Sequence, residues 1–166
     1  MGNHVCFPRM VIYRQVAAVY DEVLGSVLVS LEASYLLHVP SKVDDRTVLV
    51  LTLHGYGSNP DAMLRLSVPA VGDNCVVASL RGPNQFFLSG NPGTDEVGYN
   101  WGTRRHPDLN IRLHHQIVRA AASDLRARFS IPARRTLLMG FSQPVGLNYR
   151  LIGSDPEERE IGPSDG

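Results

Sequence analysis

Hydrophobic and polar positions along the chain fall into alternating blocks with different periods. The run Thr47 to Leu53, TVLVLTL, is apolar at both parities, the pattern of a strand covered by helices on both faces of a parallel sheet. Ahead of it, LEASYLLHV at Leu31 to Val39 alternates loosely and stops at Pro40. It reads as an adjacent strand, with the polar turn SKVDD between the two. Behind it, NPDAMLRL opens a helix: Asn59 can cap the first turn, Pro60 suits its start, and Asp61 complements the helix dipole. CVVASL at Cys75 to Leu80 is a second buried strand. From Asp108 onward Leu113, Ile117, Ala121 and Leu125 recur every four residues beside Val118, Ala122 and Phe129, while Arg112, Gln116, Arg119, Ser123 and Arg126 fill the opposite side. That is an amphipathic helix, and Pro132 ends it. The segment RRTLLMGFSQ then gives a short apolar strand, Thr136 to Gly140, running into a glycine-bounded turn. Strands alternating with helices predict an α/β class with a mainly parallel sheet.

Three stretches lack this regularity. Residues 1–30 show apolar positions at mixed spacings and read only as a weak helix followed by a strand. Residues 153–166 are acidic and rich in Gly and Pro, which predicts a disordered tail and confines the ordered domain to 31–152. Arg81 to Pro107 is rich in Gly, Pro and Asn but carries Phe86, Phe87, Tyr99 and Trp101. A connection longer than about 12 to 15 residues without periodicity is usually functional or disordered, and the aromatic content argues for function.

Composition narrows the class of partner. At 166 residues and 43% hydrophobic, the chain has material for one core. Sixteen basic side chains balance sixteen acidic ones, so no net field favours nucleic acid or an anionic membrane. The apolar stretch Val23 to Leu31 falls short of the ~20 residues of a membrane span, and Met1 to Tyr20 lacks the apolar centre of a secretory signal. A cytoplasmic location is expected. Cys6 and Cys75 are the only cysteines. They suggest neither a disulfide framework nor a metal site, and Cys75, inside an apolar strand, reads as an inert core thiol. No cofactor is implied.

Two short segments carry chemistry. Gly140-Phe141-Ser142-Gln143 lies between a buried strand and a helical pattern, the context of a nucleophile elbow. A serine at such a turn projects its hydroxyl away from the sheet, and the residues two before and two after it must be small. Gly140 meets that need. Pro144 stands where glycine is commoner, although proline is tolerated in a first helical turn. Upstream, TVLVLTL runs into His54-Gly55-Tyr56-Gly57. Ester hydrolysis develops negative charge on the carbonyl oxygen, and removing one oxyanion donor costs about 2.7 to 4 kcal/mol. Gln143 can supply one backbone donor, and the His-Gly loop, whose glycines allow close approach, can supply the other.

The segments LTLHGYGSNPDAM, GYNWG and LLMGFSQ, in this order and spacing, resemble the phospholipase/carboxylesterase family of α/β-hydrolases, close to acyl-protein thioesterases. The resemblance covers roughly 31–152. It implies an esterase or thioesterase acting on a small-molecule substrate, with Ser142 as nucleophile and the amides of Tyr56 and Gln143 as the oxyanion hole. His54, Gly55, Gly57 and Trp101 would border the pocket, with His54 itself bonded within its loop. In that fold the triad runs Ser, Asp or Glu, then His, yet no histidine follows Ser142, and Asp155, Glu157, Glu158, Glu160 and Asp165 lie in the tail. The pattern therefore predicts a partial, truncated α/β-hydrolase fold lacking the C-terminal strands. Serine without a base is a poor nucleophile, so the expected activity is residual, and a non-catalytic remnant or binding module is the alternative. Among upstream histidines His106 is the candidate substitute base. His114 falls on the apolar side of its helix and His115 on the polar side. The strand Thr136 to Gly140 would expose an unpaired edge suited to self-association.

Overall fold

The computed structural model describes residues 13–14, 23–25, 27–90, 93 and 96–154, and the chain divides into two units, Met1–Glu32 and Ala33–Gly166. In the first, β1 (Tyr13–Arg14) pairs antiparallel with β2 (Val23–Leu24). The rest of the helix-then-strand expectation for 1–30 lies largely outside the described residues, as do Cys6 and the tail from 155 onward.

The second unit is a sheet of β3 (Tyr35–His38), β4 (Val48–Leu53), β5 (Cys75–Leu80) and β8 (Thr136–Gly140) in the order β3-β5-β4-β8. A separate hairpin joins β6 (Asn84–Phe87) to β7 (Val97–Asn100), and the helices are α1 (Pro60–Val71), α2 (Pro107–Phe129) and α3 (Val145–Ser154). β4 runs parallel to β5 and to β8, whereas β3 is antiparallel to β5. The mainly parallel α/β sheet is thus present. The strands read as adjacent, β3 and β4, are separated by β5. Every residue of β5 is buried, which demands neighbours on both sides, while half-exposed β3 suits an edge.

The two parities of the apolar strands serve two layers. Leu49, Leu51 and Leu53 with Val76, Ala78 and Leu80 form one core with Ile117, Val118, Ala121, Ala122 and Leu125 of α2 and Leu151 of α3. Val50, Cys75 and Val77 face the other way, against Leu64, Val68 and Val71 of α1. Asn59 caps α1, its Oδ1 accepting from the Ala62 amide at 2.8 Å. Helix α2 carries its apolar stripe as expected, but His115 is buried rather than on a wet side. Its Nε2 lies 3.4 Å from the Leu147 carbonyl oxygen, because α3 packs over that part of α2. Among the described residues no helix is long and apolar enough to cross a membrane.

The connection Arg81 to Pro107 is the other correction, since it contains the β6–β7 hairpin with Phe86 opposite Gly98 and Phe87 opposite Val97. β7 also meets the loop after β4: the Gly57 amide donates to the Tyr99 carbonyl and the Tyr99 amide to the Ser58 carbonyl, both at 2.9 Å. A Cβ on Gly98 would lie 2.6 Å from the Gly57 oxygen, so only glycine permits this approach.

Candidate active site

β8 ends at Gly140, and the Phe141 amide donates to the Leu53 carbonyl at 3.0 Å, closing the last rung between β8 and β4. The chain then reverses. Ser142 sits at φ 62°, a left-handed conformation that an L residue adopts only under constraint. The Val145 amide donates to the Ser142 carbonyl at 3.3 Å and the Asn148 amide to the Pro144 carbonyl at 2.8 Å, starting α3. A Cβ on Gly140 would stand 2.7 Å from Asn148 Nδ2 and 3.4 Å from Pro144 Cγ, so the turned backbone has room for hydrogen alone. Pro144 is buried and fits because its position needs no donor. Ser142 itself is exposed.

The loop after β4 abuts this turn. A Cβ on Gly55 would meet Phe141 Cδ1 at 3.1 Å and Ser142 Cβ at 3.5 Å. His54 is fully buried. Its Nδ1 lies 2.8 Å from the Gly55 oxygen and its Nε2 accepts from the Gly82 amide at 3.0 Å, which fixes the neutral form with the proton on Nδ1. Burial also holds its pKa below the ordinary histidine value. His54 therefore shapes its loop. The amides of Gly57 and Ser58 are spent on Tyr99 and Gly55, whereas that of Tyr56 meets no protein acceptor among the described residues. On the elbow the amides of Phe141 and Val145 are likewise spent and Pro144 has none. Those of Ser142 and Gln143 remain.

Between loop and elbow lies a cleft of about 240 Å³, walled by Gly55, Tyr56 and Ser58, by Ala62, Met63 and Leu66 of α1, and by Phe141 and Ser142. Among the described residues no charged side chain lines it. Of the residues expected at a pocket, Gly55, Tyr56 and Ser142 meet here, while His54 and Gly57 stand behind the loop. Trp101, expected as a pocket wall, is instead fully buried, with its ring 5.5 Å from that of His54 and 5.4 Å from that of His114. A large ring with one N–H donor is held where both its apolar body and that donor are satisfied. Its Nε1 donates to the His54 carbonyl at 2.9 Å, and its amide donates to Gln143 Oε1 at 3.0 Å. Gln143 Nε2 completes the bridge by donating to the Gly102 carbonyl at 2.7 Å. The α1 walls were missed in the sequence, although a helix starting two residues after Ser58 must bring its first turns alongside the loop.

No described histidine lines the cleft. His106 caps α2, exposed, at φ 54°. His114 is fully buried, its Nε2 3.1 Å from Asn148 Oδ1, and burial together with neighbouring His115 pushes its pKa down to about 4.

The fold has counterparts among solved structures. A carboxylesterase from Mesorhizobium loti superposes with a TM-score of 0.56 at 19% identity, over 79% of this chain and 59% of that one. Esterase PE8 gives 0.54 at 24% identity, over 73% and 57%. The chain has a carboxylesterase-like α/β-hydrolase fold. A phospholipase/carboxylesterase from Dyadobacter fermentans fits the same hydrolase fold with a TM-score of 0.52 at 16% identity, over 76% and 56%. The chain thus spans less than three-fifths of these hydrolases, and the fold is partial. No family model and no curated protein matches the sequence.

Proposed function

We propose that Ser142 is the nucleophile of a carboxylic-ester or thioester hydrolase. Its Oγ attacks the acyl carbonyl carbon, the carbonyl oxygen gains negative charge beside the amides of Tyr56 and Gln143, and collapse breaks the C–O or C–S bond. The alcohol or thiol leaves with the serine proton, and water later releases the acid from the acyl-serine. The observation that carries this reading is the exposed serine at φ 62°, facing a cleft walled by the loop that bears Tyr56. The apolar lining supports a small uncharged substrate, and the chemistry asks for no cofactor.

The base is the weak point of the machinery. Acylation is expected to be slow, because no histidine among the described residues lines the cleft to take the hydroxyl proton. That arrangement also favours a second reading, a binding module that keeps the pocket without turnover. A fluorophosphonate probe separates them. Stoichiometric labelling of the folded chain that vanishes in Ser142→Ala supports the nucleophile, and a folded chain that takes no label eliminates it.

A further inference from the structure

The Tyr56 amide lies on the loop after β4 and the Gln143 amide lies on the turn after β8. The strand ladder fixes their parent strands only as far as the bond from Phe141 to Leu53. Beyond that rung Gly55 packs on Phe141 and Ser142, and the hydrogen bonds that link loop to elbow pass through the end of β7, where Tyr99 holds Gly57 and Ser58 and Trp101 alone bonds to both segments. Its indole Nε1–H reaches the carbonyl of His54, the residue that begins the loop, while its main-chain N–H reaches the side chain of Gln143. Gln143 is held at both ends of its amide, because Nε2 also donates to Gly102. Full burial of the indole removes water as a competitor for its bond. A tryptophan serving only as packing needs some acceptor for its N–H, but nothing then requires its own peptide to engage the residue after the nucleophile.

We propose that Trp101 is a positioning residue that sets the distance between the two oxyanion donors, with the Gln143 side chain as its counterpart on the elbow. The proposal rests on the reading of Tyr56 and Gln143 as those donors. It acts through geometry, since a misplacement of about 1 Å in such a site can lower a rate about a hundredfold.

The test is a double-substitution cycle on the full chain labelled with ¹⁵N. Gln143→Met removes both side-chain bonds and should shift the Trp101 indole resonance and the Tyr56 amide resonance. In a Trp101→Phe background, which keeps the main-chain bond to Gln143 and the Tyr99 bonds to the loop, the same change should reach Tyr56 far less. Should Trp101→Phe fail to fold, a benzothiophene isostere of the indole at position 101 keeps the ring shape and removes only the Nε1–H. Labelling of Ser142 by the fluorophosphonate should fall roughly ten- to a hundredfold in either single variant and fall little further in the double. A Tyr56 response to Gln143→Met that persists unchanged without the indole donor overturns the proposal, as does an unaltered labelling rate in both single variants. Wild-type protein that takes no label defeats the nucleophile reading instead, and the resonance cycle still decides whether Trp101 couples the two segments.

Discussion

Ser142 is held where an alanine-like side chain is disfavoured by roughly 1 to 2 kcal/mol, so the elbow stores strain in the residue proposed to react. Ser142→Gly should therefore raise stability by about 1 kcal/mol in urea melts while abolishing fluorophosphonate labelling. His114 supplies a second effect of single-residue placement. Its pKa is pushed down to about 4, chiefly by burial and then by His115, against about 6.5 for an unfolded histidine. Between those values the unfolded chain binds the proton that the folded chain refuses, so stability falls as pH drops from about 6.5 to 4 and levels off below. The full loss attributable to this group is about 3 kcal/mol. Urea melts at pH 7 and pH 4.5 should show most of it, and His114→Gln should flatten the difference; an undiminished pH slope in that variant would place the effect elsewhere.

Elements differ in how much they wrote into the sequence. β4, β5 and the stripe of α2 were legible because burial on two faces, or along one stripe, imposes a composition that few other structures share. The β6–β7 hairpin left little trace: its strands have four residues each, Phe87 is exposed, and backbone bonds hold it together. The order β3-β5-β4 was hidden for another reason, since periodicity reports which faces are covered and says nothing of which strand lies alongside. β8 pairs with β4 on one side, and no other described strand meets its outer edge. Leu137 on that strand is 43% exposed, and Phe141 and Tyr149 nearby in sequence are 59% and 74% exposed. An open apolar edge invites strand pairing with another chain. Light scattering should find concentration-dependent association that Leu137→Lys weakens, and a monodisperse wild-type monomer at high concentration would contradict this.

At the scale of the molecule the proposed site is legible in its proposed donors and nucleophile and opaque in its walls. Gly140, Ser142 and the His-Gly loop betray themselves because backbone geometry permits so few residue types there, whereas Ala62, Met63 and Leu66 look like any helix facing a core. Trp101 was conspicuous as a residue, but its task depended on contacts 42 and 47 positions away in the chain. If the cleft lacks only a proton acceptor, a diffusible one should replace it. Imidazole should accelerate p-nitrophenyl acetate hydrolysis beyond the rate seen with Ser142→Ala, and equal rates for the two proteins would show that Ser142 gains nothing from a base. The double stitch from Tyr99 to Gly57 and Ser58 carries a broader consequence. It makes the hairpin a lever whose short arm ends on the loop that borders the cleft. Lengthening the connection between β6 and β7 should retune the width of the cleft mouth, so a library built there would explore selectivity while leaving Ser142 and the loop after β4 unchanged.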